Sequence, residues 1–172
     1  MNKIYITGSV GSGKSTLGKN LAKEFGFAYC ELDSVIYKPY AESTSGNRKR
    51  SIEDKDALIS DVLSSERWII EDSGRKEFEY IWDEADSIIL LDPPKSLRNW
   101  RIVSRWIKQM LHVEKCGYRP GFYMLKNMIK WARDYDKGEL QSRLRRCEDK
   151  LSILRNLADV ELYIEKLKEV SS

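Results

Sequence analysis

Short apolar runs alternate with segments of helical period along most of the 172 residues. KIYIT (3–7) is β-branched and aromatic and runs directly into a cluster of glycines. Residues 14–25 follow with Leu17, Leu21, Ala22 and Phe25 on one side of a 3.6-residue period, which predicts a helix. FAYCEL (27–32), WII (68–70), SIILL (87–91) and LSIL (151–154) read as further strands. WII and SIILL are continuously apolar, as strands covered on both faces must be. The polar stretch 39–51 reads as a loop, and 52–65 as a helix with Ala57, Leu58, Val62 and Leu63 inward. Pro93-Pro94 stops one strand and can open the next helix, where a missing N–H is harmless. Residues 95–112, 121–135, 138–149 and 157–169 complete the helical set. Strands alternating with helices predict a three-layer α/β domain with a parallel sheet. No repeat or linker divides residues 1–172, so one domain is expected.

Composition narrows the class. With 41% apolar and 33% charged residues, neither disorder nor a membrane span is expected. No apolar run approaches the roughly 20 residues of a spanning helix. IYI is followed at once by glycines, so the start of the chain does not read as a signal peptide. Cys30, Cys116 and Cys147 are isolated and odd in number, which suits reduced thiols in a cytoplasm. His112 is the only histidine, so His-based catalysis has little support.

Charge adds a second signal. Residues 95–150 carry 15 Lys/Arg against 6 Asp/Glu, whereas residues 1–94 carry 12 against 17. A basic block of this kind implies an anionic partner, either small-molecule phosphates or nucleic acid; the alternative is a solvated helix surface. Trp100, Trp106, Tyr118, Phe122, Tyr123, Trp131 and Tyr135 interleave with these cations. Such aromatics could stack on a single strand of nucleic acid. The reading adopted is packing, with Trp106–Met110 or Met124–Met128–Trp131 as a buried stripe.

Candidate chemistry is concentrated at the glycines. Gly8-Ser9-Val10-Gly11-Ser12-Gly13-Lys14-Ser15, followed by Thr16, fits G-x-x-x-x-G-K-[ST] at every fixed position. It lies between an apolar strand and an amphipathic helix, the context the pattern requires. A triphosphate needs many donors at once, and the successive N–H groups of a curled loop supply them. The helix N-terminus adds free N–H groups and about half a positive charge. Lys14 can reach the outer phosphates, and the Ser15 hydroxyl can ligate Mg²⁺. ATP and Mg²⁺ are therefore the expected cofactors. D-x-x-G and N-K-x-D, which a GTPase would carry, are both absent. A compact phosphotransferase with a small-molecule acceptor remains, and nucleic acid is the less favoured partner.

The glycine loop, Glu31-Leu32-Asp33 and Trp68–Arg75 together resemble the adenylate-kinase-like small P-loop kinases. IILLDPP, WRIVSRWIKQ and KLSILRN bring the likeness closest to the bacterial DNA topology modulation protein group. The resemblance implies a nucleoside-monophosphate-kinase-like fold with a five-stranded parallel sheet. It also implies an acceptor-binding insert at about 34–66 and a helical lid within 101–149. An acid at the end of the third strand would order the magnesium shell, a role open to Glu71 or Asp72. Arg75 would hold the acceptor, Arg101 and Arg105 the adenine and the transferring phosphate, and Arg155 would lie near the base. Asp33 could orient or deprotonate an acceptor hydroxyl, or cap the next segment. Arg98, Arg119 and the Arg48–Arg50 run are weaker candidates. The acceptor reads as a nucleoside, a nucleotide or another small molecule, with a DNA-directed ATP-binding module as the alternative. Monomer and homodimer are both open.

Overall fold

The apolar runs become one parallel sheet with helices on both faces. The computed structural model describes residues 1–171 apart from 41, 44–45, 115, 117, 119 and 137–138. The chain runs β1 (Lys3–Gly8), α1 (Lys14–Phe25), β2 (Ala28–Glu31), α2 (Leu32–Ile36), β3 (Tyr37–Pro39), β4 (Asn47–Lys49) and α3 (Ile52–Leu63). It continues through β5 (Trp68–Asp72), α4 (Tyr80–Glu84), β6 (Ser87–Leu91), α5 (Lys95–Met110), α6 (Phe122–Asp136), α7 (Leu140–Leu144), β7 (Leu151–Leu154) and α8 (Leu157–Ser171). The strand order is β2–β5–β1–β6–β7, and all four pairings are parallel. Parallel strands need crossovers, and the intervening helices supply them.

Alternation along the strands sorts the core into two layers. Ile4, Ile6, Ile69, Ile89 and Leu91 meet Leu17 and Leu21 of α1 and Tyr163 and Leu167 of α8. Tyr5, Trp68, Ile70, Ile88 and Leu90 face the other way, toward Leu32, Val35, Ile81, Trp82, Leu140 and Leu144. Burying a side chain of this size fully contributes about 1.5–3 kcal/mol, so these two layers hold the sheet. A third, smaller cluster joins Ile102 of α5 to Met124, Met128 and Ala132 of α6, with Val10 packed against it.

Several expectations shift. The polar stretch 39–51 contains part of an antiparallel hairpin, β3 with β4, where the Arg48 guanidinium lies 4.7 Å over the Tyr40 ring. Leu32 leaves the expected second strand and opens α2. On α3 the inward residues are Ile59, Val62 and Leu63, while Ala57 and Leu58 are exposed. The expected helix at 138–149 breaks after Leu144 into 3-10 turns, with Cys147 off helical geometry at φ −118°. That break lets Leu140, Leu144 and Cys147 all join the main core, so this segment packs on the sheet rather than in the α5–α6 arm. On α6 the buried positions are four apart, at Met124, Met128 and Ala132. This stripe turns Trp131 outward, and Trp100, Met110, Phe122 and Tyr123 are exposed as well. Packing accounts for Tyr118 on this cluster, Tyr135 on the main core and the Trp106–Phe122 ring pair, whereas Trp100, Tyr123 and Trp131 stand outside it. No helix among the described residues is long and apolar enough to cross a membrane.

Candidate active site

Two clusters of functional residues meet at the C-terminal edge of the sheet. The first is the loop that joins β1 to α1. Gly8, Gly11 and Gly13 all have positive φ, at 153°, 76° and 103°. The demand at Gly11 is steric as well as conformational. A Cβ there would lie 2.6 Å from the Arg98 carbonyl oxygen and 3.0 Å from Ile102 Cγ1, so the loop backbone rests directly on α5. Val10 enters the α5–α6 cluster, and Arg101 donates to the Ser12 carbonyl at 2.8 Å. Three consecutive loop residues are thus anchored to the arm.

Inside the loop, Lys14 Nζ donates to the carbonyls of Gly8 (2.8 Å) and Ser9 (3.1 Å). Burial lowers the Lys14 pKa, partly offset by the negative charges of Glu71, Asp33 and Asp72. The hydroxyls of Ser9 and Ser12 are buried with no hydrogen-bond partner among the described residues. Orphaned hydroxyls at a helix N-terminus match an incoming group rich in oxygen acceptors. Ser15 is partly buried in the first turn of α1, and Thr16 is exposed.

The second cluster is organised by Asp72, whose side chain is fully buried. Its Oδ2 accepts from the Tyr5 hydroxyl (3.1 Å), the Gly74 N–H (2.8 Å) and the Arg75 N–H (2.6 Å). Its Oδ1 receives the Arg75 guanidinium, which also pairs with Asp33. Burial opposes the Arg75 charge, but Asp72 and Asp33 outweigh it and hold its pKa above the ordinary value. Asp33 stands in the first turn of α2 with its side chain 72% exposed, so it is the member of this set that faces outward. Gly74 has φ 85°, and a Cβ there would meet Leu140 Cδ2 at 2.6 Å. Arg143 supports the same turn by donating to the Gly74 carbonyl at 2.7 Å while pairing with Glu79. Beyond Leu140 lies a cavity of about 350 Å³, lined also by Asp92, Lys95, Arg98, Tyr135 and Gln141.

Strand alternation separates the two acids that the sequence left open. Asp72 shares the face of Ile70, away from α1, and its acceptor positions are taken. Glu71 shares the face of Ile69, toward α1 and the Lys14 end of the loop. Arg105 lies one turn beyond Arg101, pairs with Glu114 at 2.9 Å and is exposed. Arg155 is exposed; its backbone N–H and that of Asn156 donate to Asp159, which in turn donates its N–H to Asn156. That reciprocal pair caps α8. Arg119 lies outside the described residues. Tyr5 and Arg143 were missed at the sequence level, because each acts on a partner distant in the chain. Among the described residues no group of three or more His, Cys, Asp or Glu is placed to hold a metal ion.

Comparison with known proteins extends this picture. The profile of the shikimate kinase family matches residues 10–53, about a quarter of the chain. The shikimate kinase of Persephonella marina is 50% identical over 38 residues, covering 22% of this chain and 23% of that protein. That of Francisella tularensis subsp. holarctica is 35% identical over 80 residues, 41% of this chain and 43% of that one. That of Gloeobacter violaceus is 28% identical over 109 residues, 51% of this chain and 59% of that one. The chain thus spans between about a quarter and three fifths of these curated relatives. Among solved structures, the shikimate kinase of Acinetobacter baumannii in complex with shikimate superposes with a TM-score of 0.58 at 18% identity, covering 99% of this chain and 93% of that one. A gluconokinase from Sinorhizobium meliloti gives 0.53 at 16% identity, over 99% and 98%.

The fold is that of the small P-loop kinases. The adenylate-kinase-like expectation holds at this coarse level, and the narrower grouping with DNA topology modulation proteins is not supported.

Proposed function

We propose that the protein is an ATP-dependent kinase that transfers the γ-phosphate of Mg-ATP to a hydroxyl of a small acceptor. The observation that carries this reading is the placement of the glycine loop and the Asp33–Arg75 pair along one sheet edge, with Lys14 within electrostatic reach of Asp33. The loop amides of residues 8–13 with Ser15 and Thr16 would hold the triphosphate, and the orphaned Ser9 and Ser12 hydroxyls fit that occupant. Ser15 and Glu71 offer the hard oxygen donors that suit magnesium, with most of its shell left to phosphates and water. Bound there, the ion would neutralise phosphate charge and hold the outer phosphates in line.

The chain's own residues have separable tasks in this reading. Lys14 leaves the Gly8 and Ser9 carbonyls for the outer phosphates. Asp33, exposed and fixed by Arg75, accepts the acceptor's hydroxyl proton as that oxygen bonds to the γ-phosphorus and the bond to the departing ADP oxygen breaks. Arg101, already on the loop, and Arg105 one turn on supply positive charge against the negative charge that spreads over the phosphate oxygens. Arg155, between β7 and α8, borders the space for the base. Closure of the α5–α6 arm would keep water from consuming ATP.

For the acceptor, the shikimate kinase relatives and the gluconokinase neighbour favour a small polyhydroxylated acid over a nucleoside. The cavity beyond Leu140, with Lys95, Arg98 and Gln141 on its wall, suits the acid end of such a molecule. The test is a screen of ATP consumption with product identification, offering shikimate, gluconate, nucleosides and nucleoside monophosphates. Phosphorylation of a polyhydroxylated acid is the expected result. Turnover on nucleoside monophosphates alone would overturn the acceptor assignment, and no transfer to any hydroxyl compound would overturn the kinase reading.

A further inference from the structure

Around Glu71, on the α1 face of the sheet edge, lies a side-chain cluster whose other members, Tyr29, Glu31 and Lys19, have no part in the scheme above. Tyr29 of β2 directs its hydroxyl at two carboxylates, Glu71 Oε2 at 2.8 Å and Glu31 Oε1 at 3.0 Å. Glu31 and Glu71 are register partners on adjacent parallel strands, so their side chains emerge side by side. Glu31 has a second partner, Lys19 Nζ at 2.7 Å, and the Lys19 ammonium also lies 5.8 Å from the Tyr29 ring centre. For Glu71, the hydrogen bond to its carboxylate among the described residues comes from the Tyr29 hydroxyl.

The fold makes room for this tyrosine at a cost elsewhere. Gly18 stands in the middle of α1, where glycine weakens a helix by about 1 kcal/mol relative to alanine. A Cβ at Gly18 would lie 2.6 Å from Tyr29 Cε2, so no larger residue fits while the ring keeps this position. Gly18 is one turn beyond Lys14 on the same helix. The notch, the ring and the carboxylate therefore form one chain of contacts leading to the mouth of the glycine loop.

We infer that Tyr29 is a positioning residue: its hydroxyl orients the Glu71 carboxylate toward the cation that accompanies the nucleotide, and Gly18 exists to admit its ring. The inference rests on the phosphoryl-transfer reading proposed above. Carboxylates that serve a metal are themselves usually held by an outer hydrogen bond, whose loss costs 10–100-fold in metal affinity or activity.

The experiment is calorimetric titration of ATP with and without Mg²⁺, on the wild type, Tyr29→Phe, Glu71→Gln and the double variant. Tyr29→Phe keeps the ring in the Gly18 notch and removes only the oxygen. The expected result is that Mg²⁺ tightens ATP binding by the wild type and that Tyr29→Phe loses about tenfold of that gain. Metal-free ATP affinity should stay within about twofold, and the double variant should bind Mg-ATP no more weakly than Glu71→Gln alone. A merely structural role would instead lower the unfolding midpoint and metal-free affinity together. An unchanged Mg²⁺ gain in Tyr29→Phe, or additive losses in the double variant, would overturn the positioning role and leave the kinase reading standing. A wild type that binds no ATP at all would overturn both.

Discussion

The glycine loop takes its shape from six consecutive backbone units and leans on the α5–α6 arm through Val10, Gly11 and Ser12. The turn at residues 72–75, a few residues away along the same sheet edge, is built in the opposite way. One buried carboxylate gathers Tyr5 from β1, two backbone N–H groups and a guanidinium, while Arg143 and Leu140 close the turn from α7. The first region is a shape waiting for charge, because its polar groups are amides and orphaned hydroxyls. The second is already satisfied internally, and only Asp33 turns outward. The difference teaches where substitutions should register. Loop changes should be felt mainly in ligand binding and turnover, and Asp72-turn changes mainly in folding.

The sharpest separation comes from Asp72→Ala. It strands the Tyr5 hydroxyl and the Gly74 and Arg75 N–H groups and removes one of the two carboxylates paired with the Arg75 guanidinium, and breaking a buried pair costs about 3–5 kcal/mol. Urea unfolding followed by circular dichroism should show that loss as an earlier midpoint. Lys14→Ala is the counterpart: phosphoryl transfer should fall by about 100- to 1000-fold, as when a donor to developing oxyanion charge is removed. Its unfolding free energy should stay within about 1 kcal/mol of wild type. Equal damage to folding by both variants would erase the distinction between the two regions.

Gly74→Ala should cost about 1–3 kcal/mol, from a left-handed backbone position that alanine disfavours and from the clash with Leu140. Pairing it with Leu140→Ala should cost less than the two single losses added together, read by the same unfolding curves. The smallest effect belongs to Val10→Ala. Removing two methyl groups from a partly buried position should lower stability by about 1 kcal/mol at most. The loss should appear in hydrogen exchange of α5 and α6 before it appears in the sheet, because Val10 packs on the arm's own cluster.

How much of this was legible in the sequence follows the same divide. Much that is local was readable: the loop and its lysine, the strand before it, the amphipathic α1, and the central strands as apolar runs. Asp33, Arg75 and Arg101 were reached through pattern and resemblance, and the structure gathers Asp33 with Arg75 and sets Arg101 on the loop. Arg143 was not, because the Gly74 carbonyl it holds is 69 residues away and nothing in QSRLRR marks one arginine from the next. Tyr5 lies in a strand where its ring reads as packing, and its acid partner is 67 residues distant. Glu71 and Asp72 could not be told apart, since the answer depends on which face of the sheet α1 covers. Elements of five residues such as α2 and α4 complete too few turns for a 3.6-residue period to declare itself. The α6 stripe failed for a finer reason: Trp131 and Ala132 are adjacent, and composition favours burying the larger, whereas the helix buries the smaller.

The seating of the glycine loop on α5 has a consequence for inheritance and engineering. Val10 is the loop's one apolar side chain, and the residue after it tolerates no side chain because the Arg98 carbonyl is there. The stretch 8–13 and the arm 95–136 therefore behave as one exchangeable module, although more than 80 residues separate them in the chain. A chimera that imports another protein's arm without its own loop would meet a mismatched socket at Val10 and a displaced carbonyl at Gly11. Drift in either piece has to be answered in the other.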